Sequence, residues 1–189
     1  MKYSLGALAL MFALTASWAI STNNAIVSMN EEVSEKWSQV ENVYQRRADL
    51  IPNLVNTVKG YAKHESTVLE AVTRARASVG QVRVNKPGDI AQFDKAQSDL
   101  SSALSRLMVI SEKYPDLKAD KSFLELQSQL EGTENRISVE RMRFNESAKI
   151  YNIYIKKFPQ SFIAGYRNFQ ERAYFASEAG AKSAPKVQF

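Results

Sequence analysis

The chain has 189 residues, 44% of them apolar and 24% charged, an ordinary balance for one folded domain with a real core. Only 7 Gly and 5 Pro leave few turn signals, so the elements between them must be long, which sets aside an all-β fold. The formal net charge of +5 is spread among acidic residues instead of forming a basic block, so no nucleic-acid partner is expected. The lack of Cys excludes a disulfide framework, a thiolate metal site, a nucleophilic Cys and an acylated lipoprotein Cys.

The chain opens with Lys2 and then an uncharged run from Leu5 to Ile20, which fits a signal peptide or a membrane anchor. Ser17 and Ala19 bracket Trp18 in an arrangement suited to cleavage, and the run falls short of the roughly 20 residues that span a bilayer. Retention is favoured by the uncharged continuation through Asn23 and Asn24 to Met29, so residues 1–29 are read as a signal-anchor segment. Lys2 precedes it and Glu31, Glu32 and Glu35 follow it, so the positive-inside rule places the body on the non-cytoplasmic side.

From Val33 the apolar residues alternate at spacings of four and three: Val33, Trp37, Val40, Tyr44, then Arg47, Ile51, Leu54, Val58, Tyr61, Glu65, Val68, Val72, Ala75, Val79 and Val82. Neither Pro52 nor Gly60 shifts the phase. One very long first helix, kinked or broken in place and resuming in line, is expected, with a true break near Gly60 and a second helix starting around His64 as the alternative. Lys86 to Asp89 reads as a turn with Asp89 as N-cap, followed by a second seam of Phe93, Ala96, Leu100, Ala103, Leu107, Ile110 and Tyr114. Tyr114, Pro115 and Asp116 end that helix. Ser122 and Glu125 then suggest a capping box for a third seam of Phe123, Leu126, Leu130, Thr133, Ile137, Glu140, Phe144, Ser147, Tyr151, Tyr154 and Phe158.

Such seams, joined by short turns, bury themselves by lying against one another. The expected fold class is all-α, a long antiparallel up-down bundle of three to four helices over residues 30–160 with an amino-terminal membrane helix. Residues 161–189 read as a short helix around Phe162 to Phe169, whose aromatics pack back on the bundle, and a poorly ordered tail of small residues.

Signs of chemistry are few. His64 is the sole His, too few for a zinc hydrolase or a di-iron bundle centre, and no P-loop, dinucleotide or nucleophile-elbow motif occurs. No catalytic, metal or cofactor site is expected. Two charges, Arg47 and Glu140, interrupt the seams. Either those turns face solvent and the side chains snorkel out, or Arg47 pairs across helices with Glu140 or Glu134 and fixes register.

The stretch Arg46-Arg47-Ala48-Asp49-Leu50-Ile51-Pro52-Asn53-Leu54-Val55, followed by Val58 to Glu65, resembles the LemA family. The resemblance continues through Tyr114 to Ala119, Thr133 to Ile137, Arg143 to Asn145, Tyr151-Asn152, Phe158-Pro159 and Pro185 to Phe189. It implies an all-helical bacterial envelope protein with one amino-terminal membrane helix and no established enzymatic activity. Genes of that family often lie beside genes for membrane-bound proteases or other envelope proteins, which suggests such proteins as partners. The start departs from the family pattern: Thr22-Asn23-Asn24 stands where a Tyr-Asn pair is usual.

These readings point to a non-catalytic scaffold or regulator of envelope partners. The polar residues Arg46, Arg47, Asp49, Asn53, Glu134, Asn135, Arg136, Glu140 and Asn145 would then set register or contact a partner. The alternative is a self-assembling, coiled-coil-like structural protein on the membrane surface, a homo-oligomer. An enzyme using Glu134 and Arg136 is a third, weaker option.

Overall fold

The computed structural model describes residues 2–84 and 89–176, with side chains from residue 6 onward. Among the described residues there are six helices and no strand: α1 Lys2–Tyr61, α2 Ser66–Gln81, α3 Asp89–Ser111, α4 Pro115–Lys118, α5 Lys121–Lys156 and α6 Gln160–Tyr166. The all-helical class and the long apolar first helix are as expected. The proposed turn at Lys86 to Gly88 and the tail from Ser177 lie outside the described residues.

Pro52 sits inside α1 without ending it. A proline has no N–H to donate to the carbonyl four residues back, here Ala48. Arg76 of α2 supplies the donor, its Nε reaching the Ala48 oxygen at 2.8 Å. The flanking Ile51, Leu54 and Val58 are fully buried, so packing on both sides holds the helix through the proline.

The expectation of one helix running in line past Gly60 is corrected in favour of the alternative, a break near Gly60 followed by a second helix. α1 ends at Tyr61, a turn closes through Glu65 N to Ala62 O, and α2 begins at Ser66. Gly60 weakens the last turn, and the inward position moves from Tyr61, 44% exposed, to Ala62, which is fully buried. The cause of that move is helical geometry: a 3.6-residue turn lags a strict 3.5 repeat by ~20° per heptad, so after four heptads the inward face advances by about one residue. The end of α5 obeys the same arithmetic. Phe123, Leu130, Thr133, Ile137, Phe144, Ser147 and Tyr151 are buried as expected, but then Ala148, Asn152 and Ile155 turn inward, Tyr154 is half-buried and Phe158 is exposed.

The seam of α3 is buried from Phe93 through Ile110. Between α3 and α5 the short α4 begins with Pro115 at its first turn and buries Leu117. The cap of α5 is Asp120 and not Ser122: the Phe123 N–H donates to Asp120 Oδ1 at 2.9 Å. Asp120 Oδ2 also accepts the Tyr61 hydroxyl at 2.9 Å. Together these hydrogen bonds, the main-chain one first, hold the Asp120 carboxyl below its usual range and push the Tyr61 phenol up.

The chain divides into two compact units, with α1 and α5 contributing to both. One comprises Val43–Ser138 and Ala173–Phe189. Its core unites Ile51, Leu54 and Val58 of α1, Leu69 and Val72 of α2, Leu100 and Leu107 of α3, Leu117 of α4, and Phe123 and Leu130 of α5. The other comprises Met1–Asn42 and Val139–Arg172, with Ile26, Val33, Val40, Phe144, Tyr151 and Ile155 buried. Here Trp37 meets Phe144 edge to face at 5.5 Å. The segment after α6 is tied down by polar bonds: Asn152 exchanges two with the Arg172 backbone, both at 2.8 Å, and Tyr151 donates to the Gln170 carbonyl at 3.0 Å. The Arg172 guanidinium reaches Asn30 Oδ1 at 2.8 and 3.1 Å. The expectation that the aromatics beyond residue 160 pack back is largely corrected: Phe175 is buried and Phe169 half-buried, but Phe162, Tyr166 and Tyr174 are exposed.

Candidate functional site

The inward phase of α1 carries Arg47 into the core of the Val43–Ser138 unit, with Tyr44 one turn before it and Ile51 one turn after. Only 2% of the residue is exposed. A charge taken out of water this far must find partners. Arg47 Nη1 donates to Glu134 Oε2 of α5 at 2.8 Å and to Ser101 Oγ of α3 at 3.1 Å. Its Nη2 donates to the Gln97 carbonyl at 3.3 Å and to the Gln97 side-chain oxygen. The guanidinium also lies 5.3 Å from the centre of the Tyr44 ring, which packs edge to face on Phe93 at 5.0 Å.

The two terminal nitrogens carry four N–H donors between them, and four acceptors meet them. Arg47 Nε and Gln97 Nε2 are buried without a hydrogen-bond partner. One Arg side chain of α1 therefore bonds to both α3 and α5, reaching its carboxylate at the edge of the core, where the Glu134 side chain is 51% exposed. Beside the cluster lies an open pocket of about 330 Å³, walled by Ser101, Leu104, Met108, Leu130 and Glu134.

Of the two carboxylates considered for Arg47, Glu134 is the one it reaches. Glu140 is half-buried and pairs along its own helix with Arg143 at 2.8 Å. Arg46, Asp49, Asn53, Asn135 and Arg136 are all exposed and stand apart from the cluster; Asp49 accepts a bond from Gln45 at 2.7 Å. Asn145 is half-buried in the other unit. His64 is exposed in the turn between α1 and α2. Among the described residues no three His, Cys, Asp or Glu side chains gather as a metal site would require.

Gln97, Ser101, Arg76 and Arg172 were not singled out in the sequence. Gln97 and Ser101 lie one turn apart on α3, each one position past a seam residue. Asking which polar residues flank the facing seams of a buried Arg would have found both.

The LemA family profile matches residues 36–189, which is most of the chain. The chain belongs to the LemA family. Among relatives, the magnetosome protein MamQ of Magnetospirillum gryphiswaldense is 30% identical, over 80% of this chain and 64% of its own length. The magnetosome protein MamQ 2 of Paramagnetospirillum magneticum is 27% identical with the same coverage. The protein LemA of Metamycoplasma hominis is 24% identical over 84% of this chain and 71% of its own. This LemA-family chain thus spans a little under two thirds of the length of the MamQ proteins it matches. Its α1 is, by length and composition, long and apolar enough to cross a membrane.

Proposed function

We propose that this LemA-family chain is a membrane-anchored, non-catalytic up-down helical bundle of the bacterial cell envelope. It acts as a scaffold or regulator for envelope proteins, with residues 1–29 as anchor, residues 30–160 as the bundle and the body on the non-cytoplasmic side. The observation that carries this reading is the change of surroundings along α1. Leu8, Leu10, Met11, Phe12, Leu14 and Ile20 are 59–76% exposed, whereas one face of the same helix is buried from Thr22 onward. Burying a large apolar side chain is worth roughly 1.5–3 kcal/mol, so six left in water amount to roughly 10 kcal/mol forgone. A bilayer supplies the missing environment.

The Arg47 cluster supports a structural role for the polar residues. All four terminal N–H groups are committed to protein acceptors, leaving none for a substrate anion. Its function in this reading is to hold α1, α3 and α5 in one register.

The test is cell fractionation with the intact mass of the product. An uncleaved chain that resists carbonate extraction supports the anchored reading; a chain lacking its first 19 or so residues and released by the wash refutes it.

One observation favours self-assembly as a second reading. Val139, Met142, Ile150 and Ile153 are exposed and fall within an arc of about 80° on α5, opposite its buried face. Such a stripe suits a second copy of the chain. Mass measurement in detergent at several concentrations decides it, a strict monomer removing the option.

A further inference from the structure

Three aromatic side chains at the carboxyl end of α5 and in α6 stand in solvent: Phe158 is 79% exposed, Phe162 68% and Tyr166 89%. Phe158 and Phe162 touch edge to face at 5.7 Å, so they form one patch. Exposed aromatics grouped this way mark a surface that something else covers. Lys156, Lys157 and Arg167 lie beside them in sequence and are exposed; among the described residues from 156 to 176 the acidic one is Glu171, paired with Lys156 at 2.6 Å. The patch is therefore aromatic with a net positive rim.

Its level along α1 follows from contacts within the same unit. Trp37 of α1 lies against Phe144 of α5, and Arg172 joins Asn30 of α1 to Asn152 of α5. Going back along α1 thus matches going forward along α5. Phe158 lies about six residues beyond Asn152, which puts it level with about Asn24, some four residues or ~6 Å from Ile20 at the end of the apolar run. The headgroup region of a bilayer is roughly 5–8 Å deep on each side.

We propose that Phe158, Phe162 and Tyr166, with Lys157 and Arg167, form a foot that inserts into the headgroup region of an anionic bilayer beside the α1 anchor. Phe rings of an interfacial segment bury at the boundary of headgroups and acyl chains, the Tyr ring settles there with its hydroxyl toward water, and Lys and Arg beside them meet lipid phosphates. A second contact of this kind restrains the body against the membrane surface where a single helix alone would leave it free to pivot. The inference rests on the anchored reading above.

The chain has no Cys, so single-Cys variants of the full protein report cleanly. Ser161→Cys and Ala13→Cys, both at exposed positions, are each labelled with an environment-sensitive fluorophore and reconstituted into phosphatidylcholine–phosphatidylglycerol vesicles carrying nitroxide lipids. The Ala13 label should be quenched by a nitroxide deep in the acyl chains. The Ser161 label should be quenched by one near the headgroup. Adding Phe158→Ser, Phe162→Ser and Tyr166→Ser should abolish quenching at 161 while leaving that at 13.

Quenching at 13 but not at 161 overturns the foot and leaves the anchor standing. Quenching at 161 that survives the triple substitution also overturns it, because nearness to the anchor then suffices. A label at 161 that shifts to the blue without lipid quenching, and more so at higher protein-to-lipid ratio, assigns the patch to a second copy instead. An unquenched label at 13 refutes the anchored reading itself.

Discussion

Replacing Arg47 with Ala tests the central cluster. The substitution leaves the Gln97 side chain buried with neither end bonded, a loss of about 1–3 kcal/mol. It also removes the buried apolar stem of the arginine, worth roughly 1–2 kcal/mol. Glu134 adds little: half of its side chain is already in water, so its freed carboxylate stays hydrated, for under ~1 kcal/mol. The sum is about 2–5 kcal/mol, a fall of roughly 10 °C in thermal midpoint for a chain of this size. The assay is thermal denaturation of the full chain in mild detergent, followed by far-UV circular dichroism. Arg46→Ala, at an exposed position on the same helix, should stay within ~0.5 kcal/mol of the parent. Glu134→Gln should lose far less than Arg47→Ala. An Arg47→Ala loss no larger than that of Arg46→Ala would refute the register argument, and equal losses for Glu134→Gln and Arg47→Ala would place the energy in the ion pair and not in the buried neutral partners.

Three other outcomes follow from particular bonds. Arg76→Ala should destabilise the parent more than it destabilises a Pro52→Ala background, by about 0.5–1.5 kcal/mol, because the substituted alanine brings back the main-chain N–H that the Ala48 carbonyl lacks; a double-mutant cycle with no coupling removes that account. Asn152→Ala should destabilise by about 1–3 kcal/mol and speed hydrogen exchange at the Arg172 amide, with unchanged exchange counting against the clasp. The Asp120 carboxyl is held below its unfolded value of 3.8, so its contribution is present above that pH and is lost as pH falls through the folded value. Below about pH 4 the thermal midpoint of the parent should therefore fall more steeply than that of Asp120→Asn, which keeps an acceptor at the cap; parallel curves would contradict this.

Much of the fold was legible because the apolar spacing is regular and few residues interrupt it. Each residue read onto the α3 seam from Phe93 to Ile110 is buried, although Ile90, Gln97, Leu104 and Ser111, buried on the same helix, were not read; on α1 the buried positions from Val33 to Val58 were readable. The reading failed where a heptad template was extended past its range. At Tyr61 and Phe158 the 3.6-residue turn had carried the inward face on by about one residue, which a 3.5 repeat cannot express. The cap of α5 was misplaced because Ser122 and Glu125 matched a pattern, whereas the Asp120 carboxylate just before the helix had the geometry. Arg47 stood out in the sequence as a charge on an apolar seam. Its companions Gln97 and Ser101 did not, since polar residues flanking a seam are ordinary until the facing helix is known. Arg172 and Arg76 bond to partners 142 and 28 residues away in sequence, separations that no local pattern encodes.

Several polar groups of the stretches that carry the family resemblance bond within the chain itself. Arg47 is consumed by Gln97, Ser101 and Glu134, the carbonyl freed by Pro52 is taken by Arg76, and Tyr61 is tied to the cap of α5. In this cluster the four terminal N–H groups of Arg47 all meet protein acceptors, while its Nε and Gln97 Nε2 are buried without one. Arg46, Asn53, Asn135 and Arg136 of the same stretches are exposed and take no part in those bonds. The apolar surface left outside includes the amino end of α1, the stripe on α5 and the aromatic patch at Phe158 and Phe162. In the proposed scaffold reading these are the surfaces that would meet a membrane or partner, and substitutions there should alter localisation or association without altering the fold.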